Sequence, residues 1–585
     1  MAPSKSFGYI GKLLDIDLTN SKITTQDLPE KVMPFLGGLG FGAKLLYELL
    51  PKGTDPLAPE NILIFMTGPM TGSGAVMTGR HAAIAKSPLT GIIGYAMCGG
   101  FFGWQLKKAG FDGIIIKGKA ENPTSLVIQD GNTELRDASA LWGKGCHEMG
   151  QILDEEFKKT YFLGIGPAGE NQVNIASIVD NDERVHGRTG LGAVMGSKNL
   201  KVVVAKGTGE IPTADPDAVK SLNQAIIQET KTNFIKKTLV DNYSKLGTSS
   251  LFGISAIGYN LGIKNWELRT WSDYAKISGH KLNTEFVTQN YHCHMCIVGC
   301  GRRVGDRKGP EYETLGALGS LCLNTNLESI VEMNKLCDDY GLDTIAVGGI
   351  LAYLMECSER GLIDEKIEWG DSTKMLQYIE DIALKLTELG VVLGQGTKAA
   401  SDQIPNSSDY AMNVKGMETP MHDPRGGMDL FYATASRGAD HLQGVALTRF
   451  LAIPEFKLSM LTSQEKFCKS SQEYMAVLDS LCMCKFGAVP QGPIAVTQIL
   501  HQYKNVTGQD MTPDQLLVIG ERIFNLQRLF NLREANLTPE DDSVKPRFLK
   551  KNPQLDKEVR RYYRARGWDK MGIPKPETLK RLGLS

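Results

Sequence analysis

Tyr291-His-Cys-His-Met-Cys-Ile-Val-Gly-Cys300 places Cys293, Cys296 and Cys300 at C-x2-C-x3-C spacing, and Gly309-Pro-Glu-Tyr-Glu313 follows soon after. Thiolates two and three residues apart converge on one metal centre. A cubane cluster or a structural zinc needs four ligands, so a fourth comes from elsewhere. The spacing suits an iron–sulfur cluster. It equally suits a zinc site completed by His292 or His294, and it also occurs among core cysteines.

The chain of 585 residues is too long for one core, and three domains are expected. A formal net charge of −1 argues against a nucleic-acid partner, which needs a basic face. The 63 glycines suggest many tight turns and close backbone approaches to a bulky ligand. No apolar run reaches the ~20 residues that span a bilayer. Met1–Tyr9 has no apolar run of the kind that opens a secretory signal. Eleven unevenly clustered cysteines do not form a disulfide framework and suit a reducing cytoplasm.

Residues 1–207 read as mainly β. Tyr9–Leu18 alternates, turns at Thr19-Asn-Ser21 and alternates again. Asn61–Met66, Gly113–Lys117 and Lys201–Ala205 are short buried strands, and Ser125–Gln129 with Thr133–Arg136 makes a hairpin about Asp130-Gly131. Glycine-rich loops intervene at Thr67–Gly74, Thr78–Arg80, Cys98–Gly100 and His186–Gly192. Such loops with arginines cradle phosphates, although none matches a nucleotide fingerprint.

Residues 208–410 turn helical. Ala218–Thr232 has a helical period, whereas 238–276 reads as loop-rich. Leu327–Cys337 is an amphipathic helix. Gly341 suits its left-handed C-cap, and Asp343 suits the N-cap of the next helix, Thr344–Gly361. In residues 411–585 three landmarks stand out: the turn Asp423-Pro-Arg-Gly426, then Ala435-Ser-Arg-Gly-Ala-Asp-His441, then Leu478-Asp-Ser-Leu-Cys-Met-Cys484-Lys485.

The cysteine run with Glu-Tyr-Glu resembles the cluster and active-site segment of the tungsten-containing aldehyde:ferredoxin oxidoreductase family. Arg184-Val-His-Gly-Arg188 resembles its N-terminal pterin-embracing loop. Asp338–Asp343 resembles its Asp-x-x-Gly-Leu-Asp pterin motif, and Arg437–His441 its Arg-Gly-x-x-His. The C-terminal Glu521–Arg533 and Tyr562–Trp568 also look like this family, so the resemblance covers essentially the whole chain.

The resemblance implies an α/β (α+β) fold: a mainly-β pterin-binding domain at 1–207, then two largely helical domains at 208–410 and 411–585. It implies a tungsten bis-pterin (molybdenum being the alternative), a 4Fe–4S cluster, and Mg2+ bridging pterin phosphates. Cys293, Cys296, Cys300 and Cys484 would hold the cluster. Arg80, Gly99, Arg184, Val185, Gly187, Arg188, Asp338, Leu342, Asp343, Arg437, Asp479, Met483 and Lys485 would contact pterin. Glu313 and His441 would face the substrate and handle protons. A carboxylate suits a pterin because it accepts from adjacent ring N–H and amine donors.

The chain departs from the family pattern in places. The second pterin motif has Cys482-Met483 in place of Gly-Leu, which makes Cys482 a rival to the favoured Cys484. Met97 stands where many members have Asn beside the Gly-Gly. Glu332 lacks the histidine of the E-x-x-H pair that bridges subunits through a metal. Cys322 reads as core packing.

The expected reaction is oxidation of an aldehyde with water to a carboxylic acid. Electrons would pass to ferredoxin or an iron–sulfur electron-transfer subunit, in a cytoplasmic oligomer. The runner-up is a reductase of acyl- or aromatic-CoA thioesters. A zinc-bound, non-catalytic scaffold is the contrasting class, which an optical spectrum separates.

Overall fold

Alternation along short strands decides how the N-terminal region is layered. The computed structural model describes residues 7–158, 160–181, 184–444, 463–489 and 492–585; Met1–Ser6, part of the leader reading, lie outside them. Six strands, β1 (Lys12–Asp17), β2 (Lys22–Asp27), β3 (Leu63–Met66), β4 (His81–Lys86), β5 (Ile93–Cys98) and β6 (Gly113–Lys117), form a sheet in the order β2-β1-β6-β3-β4-β5. Only β1 and β6 run parallel in it. A second sheet comprises β7 (Thr124–Gln129), β8 (Asn132–Asp137), β9 (Tyr161–Gly164), β10 (Ile178–Asp180), β11 (Arg184–His186) and β12 (Leu200–Lys206), ordered β11-β10-β9-β12-β7-β8.

Leu14, Ile16, Leu63, Phe65, Ile114 and Ile116 project from one face of the first sheet onto Leu126, Ile128, Leu163 and Val203 of the second. The residues between them in sequence, Leu13, Ile64 and Ile115, face the other way. They pack on the helix Gly38–Leu49 and on Ile523 and Phe530 of the helix Pro513–Ala535. Val127, Val202 and Val204 likewise cover the helix Cys146–Phe157. The period-two pattern thus yields four layers, helix–sheet–sheet–helix, and each fully buried aliphatic or Phe side chain contributes about 1.5–3 kcal/mol. The expected hairpin is present, with Asp130 (φ 46°) and Gly131 (φ 85°) both in the left-handed region that a type I′ turn requires.

Beyond β12 the chain is largely helical, opening with Pro216–Thr232, which Asp215 caps through the Ala218 N–H. The helix Leu327–Tyr340 runs one turn further than expected and ends at Gly341 (φ 73°). Asp343 caps Thr344–Glu359 through the Ile345 N–H at 3.2 Å. A small sheet of β13 (Gln289–Tyr291), β14 (Gly301–Val304) and β15 (Arg307–Lys308) frames the cysteine run. The fold is therefore mixed α/β, with a sheet-rich N-terminal part and helical parts after it.

Two readings of the sequence need correction. The stretch 238–276 is not mainly loop: it holds the helices Phe234–Leu246 and Leu251–Ile257, with a 3-10 turn at each of Gly247–Ser250 and Ser272–Ile277. No residue of Phe234–Leu246 is fully buried; Val240 and Tyr243 lie half-buried against the core cluster that holds Leu478 and Leu481, so its apolar stripe is short. The segment 186–192 is not loop throughout, because a helix begins at Leu191. Among the described residues no helix is long and apolar enough to cross a membrane.

The C-terminal part is held by a buried charge network. Asp542 is 3% exposed; Lys415 lies 2.8 Å from one of its oxygens and Arg528 2.9 Å from the other. Asp542→Ala would strand two buried cations, so it should cost about 3–5 kcal/mol. A urea titration should show both Asp542→Ala and Asp542→Asn well below the unmutated midpoint, since both remove the charge, and an unmoved midpoint in Asp542→Asn would show that the charge is not what matters.

Candidate active site

The cysteine run is closed at its base by Tyr291 pairing with Gly301 across β13 and β14. This lays Cys293, Cys296 and Cys300 along a cavity of about 280 Å3, and Cys484 enters it from the C-terminal part. None of the eleven cysteines is in a disulfide; these four are half-buried and the other seven are buried. Cys482 turns away from the cavity. Its backbone is left-handed (φ 57°), its sulfur lies 3.8 Å from the Asp479 carbonyl, and a Cβ on Gly38 would come within 2.7 Å of it. Burial pushes the Cys482 thiol up to about 12.

Arg80, Gly99, Arg184 and Val185 line the same cavity, as do Lys308, Glu311 and Leu442. Arg80 lies 3.9 Å from the Cys484 sulfur and Arg184 3.9 Å from the Cys300 sulfur. Burial pushes the Cys300 thiol up to about 12, and the Arg184 guanidinium opposes that rise, favouring the thiolate that ligates metal. Arg184 is fixed by Glu311 at 3.1 Å and by the Tyr291 ring, 4.7 Å away.

Behind the cavity, buried carboxylates are paired with cations, some from distant segments and some a few residues away. Asp338 accepts from Lys308 (2.6 Å) and Asn334 (2.9 Å), so each oxygen has a partner. Asp343 is different: one oxygen caps its helix, and the other lies 3.7 Å from Arg188 without a hydrogen bond. Asp479 accepts from Lys485 at 2.9 Å through one oxygen and leaves the other bare. Burial raises both carboxyls, opposed by Arg188 and Lys485 respectively. Lys485 also donates to the Leu442 carbonyl at 2.7 Å. Arg437 donates to Asp440 at 2.7 Å and, against the effect of burial, holds that carboxyl well below its usual range. Gly187 leaves Asp343 uncrowded, the Asp343 oxygen being 3.9 Å from where a Cβ would sit. Leu342 bridges to Ala176, and Met483 is buried with its N–H on the Leu478 carbonyl at 2.9 Å.

Glu313 opens the helix Tyr312–Leu318. One oxygen accepts from the Met421 N–H at 2.8 Å. The other has no hydrogen-bond partner and faces two imidazoles, His441 Nε2 at 3.5 Å and His422 Nε2 at 3.6 Å. Burial raises the Glu313 carboxyl to about 7, only partly offset by the Met421 amide and Arg188. Burial lowers His422 to about 4 and pushes His441 well below the usual histidine range. At neutral pH the group therefore holds one carboxyl that exchanges its proton and two neutral imidazoles. Its ligand atoms lie within 4.8 Å of one another. Leu442, beside His441, joins it to the thiol cavity.

The sequence reading missed His422. It sits directly before the Asp423-Pro-Arg-Gly426 turn, and only the tertiary fold brings it to Glu313. Lys308 and Glu311 were also not assigned to the site.

Among the described residues, Arg80 Nε, Arg184 Nε, Arg188 Nη1, Asp343 Oδ2, Asp479 Oδ1 and Glu313 Oε1 are buried without hydrogen-bond partners. Leaving such groups unsatisfied costs about 1–3 kcal/mol each. Orphaned guanidinium donors fit the anionic oxygens of a phosphorylated cofactor, and orphaned carboxylate oxygens fit ring N–H donors. Four half-buried thiols fit a metal cluster. The guanidinium groups and carboxylates thus fit a phosphorylated pterin.

Comparison with known proteins agrees. Residues 13–207 match the family described as "Aldehyde ferredoxin oxidoreductase, N-terminal domain", and residues 223–584 match "Aldehyde ferredoxin oxidoreductase, domains 2 & 3". The chain is 37% identical to the tungsten-containing aldehyde ferredoxin oxidoreductase of Pyrococcus horikoshii, over 99% of each chain. It is 31% identical to the aliphatic sulfonate oxidoreductase WOR-like subunit of Pyrococcus furiosus, over 99% of this chain and 97% of that one. The active-site complex BamBC of benzoyl coenzyme A reductase, solved with 1,5-dienoyl-CoA, superposes with a TM-score of 0.86 at 25% identity, covering 99% of this chain and 97% of that one. The chain belongs to the aldehyde ferredoxin oxidoreductase family of tungsten-containing oxidoreductases.

Proposed function

We propose that the protein oxidises an aldehyde and water to a carboxylic acid, two protons and two electrons, and that the electrons leave to ferredoxin or an iron–sulfur subunit. The observation that carries this reading is Glu313, poised near 7 between two neutral histidines beside a cavity lined by four thiols. Cys293, Cys296, Cys300 and Cys484 would hold a 4Fe–4S cluster. Asp343 and Asp479 would take pterin ring donors, and Arg80, Arg184, Arg188 and Arg437 would take anionic oxygens. Bound tungstopterin and cluster would supply the two-electron acceptor and the one-electron outlet.

The chain's own part is proton handling. Glu313, ionised, accepts the proton that water loses when it adds to the carbonyl carbon, and passes it on as the acid. His441, neutral in its buried site, orients the carbonyl oxygen or carries the second proton. A second reading, reduction of a CoA thioester, is favoured by the likeness to the benzoyl coenzyme A reductase complex. Acid–base residues suit both directions of electron flow, so substrate turnover decides between them.

Four outcomes are expected. Protein purified anaerobically should contain about one W or Mo and about four Fe per chain; stoichiometric zinc without iron would refute the reading. Cys484→Ser should lose or convert the cluster, seen as loss of the brown, dithionite-bleachable absorbance, whereas Cys482→Ser should keep it. Reversed behaviour of the two would reassign the fourth ligand to Cys482. Glu313→Gln and His441→Asn should each lower aldehyde-dependent viologen reduction by about 10²–10⁴ with metal content intact. In the unmutated enzyme the rate should rise with pH, reach half its plateau near 7 and level about one unit above, following ionisation of Glu313. Full turnover in metal-replete His441→Asn enzyme would make that histidine structural.

A further inference from the structure

His422 is placed with more care than a packing residue needs. Its main chain is tied twice: its N–H donates to the Pro420 carbonyl at 2.8 Å, and its carbonyl accepts the Tyr432 hydroxyl at 2.9 Å. Its ring stacks on Tyr312, with centroids 4.9 Å apart at 23°. Its Nδ1 lies 3.2 Å from the Asn260 side-chain nitrogen. That amide nitrogen can only donate, so Nδ1 accepts and the ring proton sits on Nε2. Nε2 is the atom that faces the unpartnered oxygen of Glu313. Asn260 belongs to the stretch after the helix Leu251–Ile257, and the Asp423 N–H donates to its carbonyl at 3.4 Å, so the two loops hold each other.

We infer that His422 is a positioning residue for Glu313: fixed by Asn260 as the Nε2–H tautomer, it presents a neutral donor to the carboxylate and sets the pH at which Glu313 ionises. This rests on the proposed role of Glu313 as the proton-exchanging group. The other groups facing Glu313 are its helix neighbour Tyr312, the Met421 amide, His441 and Asp440 of the adjoining segment, Tyr432, Arg188 after β11, and Asp343. Of these, the Met421 amide and Arg188 favour ionisation, while Asp343 and Asp440 oppose it. A donor removed from the ionised form raises the pH of ionisation. Loss of the His422 Nε2–H therefore shifts Glu313 upward.

The test uses holoenzyme carrying His422→Phe or His422→Gln. Phenylalanine keeps the ring on Tyr312 and removes the donor, whereas glutamine places an N–H close to the position of Nε2. The protonated carboxyl of Glu313 is followed by its infrared C=O band, taken as the difference from Glu313→Gln protein. Its midpoint should rise by about one pH unit in His422→Phe and stay within a few tenths of the unmutated value in His422→Gln. The acid limb of kcat should move by the same amounts, with KM little changed. An unmoved midpoint in His422→Phe, or equal shifts in both variants, would overturn the inference. Failure of the unmutated enzyme to turn over aldehydes would refute the proposed reaction instead, and the infrared titration would still decide the role of His422.

Discussion

A Cβ at position 99 would stand 2.6 Å from the sulfur of Cys293. The bare backbone of the 98–100 loop therefore sets how closely the N-terminal sandwich approaches the cysteine run. The same constraint recurs at Gly38, where a Cβ would lie 2.5 Å from the Asp479 carbonyl and 2.7 Å from the Cys482 sulfur. These contacts press two segments, one before residue 100 and one after residue 475, against the cavity at once. A side chain at position 99 would push on the Cys293 sulfur, and one at position 38 on the backbone carbonyl of Asp479, five residues before Cys484.

Charge pairing completes what close approach begins. Asp338, Asp343, Asp440 and Asp479 are all buried, and each has a cation from elsewhere in the chain or a few residues away: Lys308, Arg188, Arg437 and Lys485. A buried ion pair gains little stability over an apolar replacement, because desolvation offsets attraction. Its value here lies in orientation. Asp343 and Asp479 each direct one oxygen to a cation or a cap and keep the other free, which is the geometry a hydrogen-bonding ligand needs. Asp338, with both oxygens engaged, serves instead to hold Lys308 at the cavity wall.

Local chemistry was legible and convergence was not. Asp130-Gly131 specifies its turn because both residues tolerate positive φ, and Gly341 with Asp343 specifies a helix stop and start. The three clustered cysteines and Glu313 could be read from spacing and resemblance. Phe234–Leu246 was harder to read, since it only half-buries its inner face while Phe234 and Ile235 stay exposed, which blurs the apolar period. His422 could not be read: its role depends on residues 260, 313 and 441, whose meeting is a property of the packed core and of no local pattern.

Glu311 and Glu313, two residues apart, turn to different sites. Glu311 is the extended residue just before the helix and turns to Arg184 and Thr248 at the thiol cavity. Glu313, inside the first helical turn, points to His422, His441 and the Met421 amide. Tyr312 between them is locked by its hydroxyl on the Met421 carbonyl at 2.7 Å and by the His422 ring. In the proposed reaction each aldehyde releases two electrons and two protons. One three-residue run then anchors the wall beside the electron outlet on one side and the proton acceptor on the other. The extended backbone at Glu311 is what takes its carboxylate to Arg184 while Glu313 follows the helix. A helix starting one turn earlier would carry Glu311 off the extended path that takes it to Arg184 and would break this division.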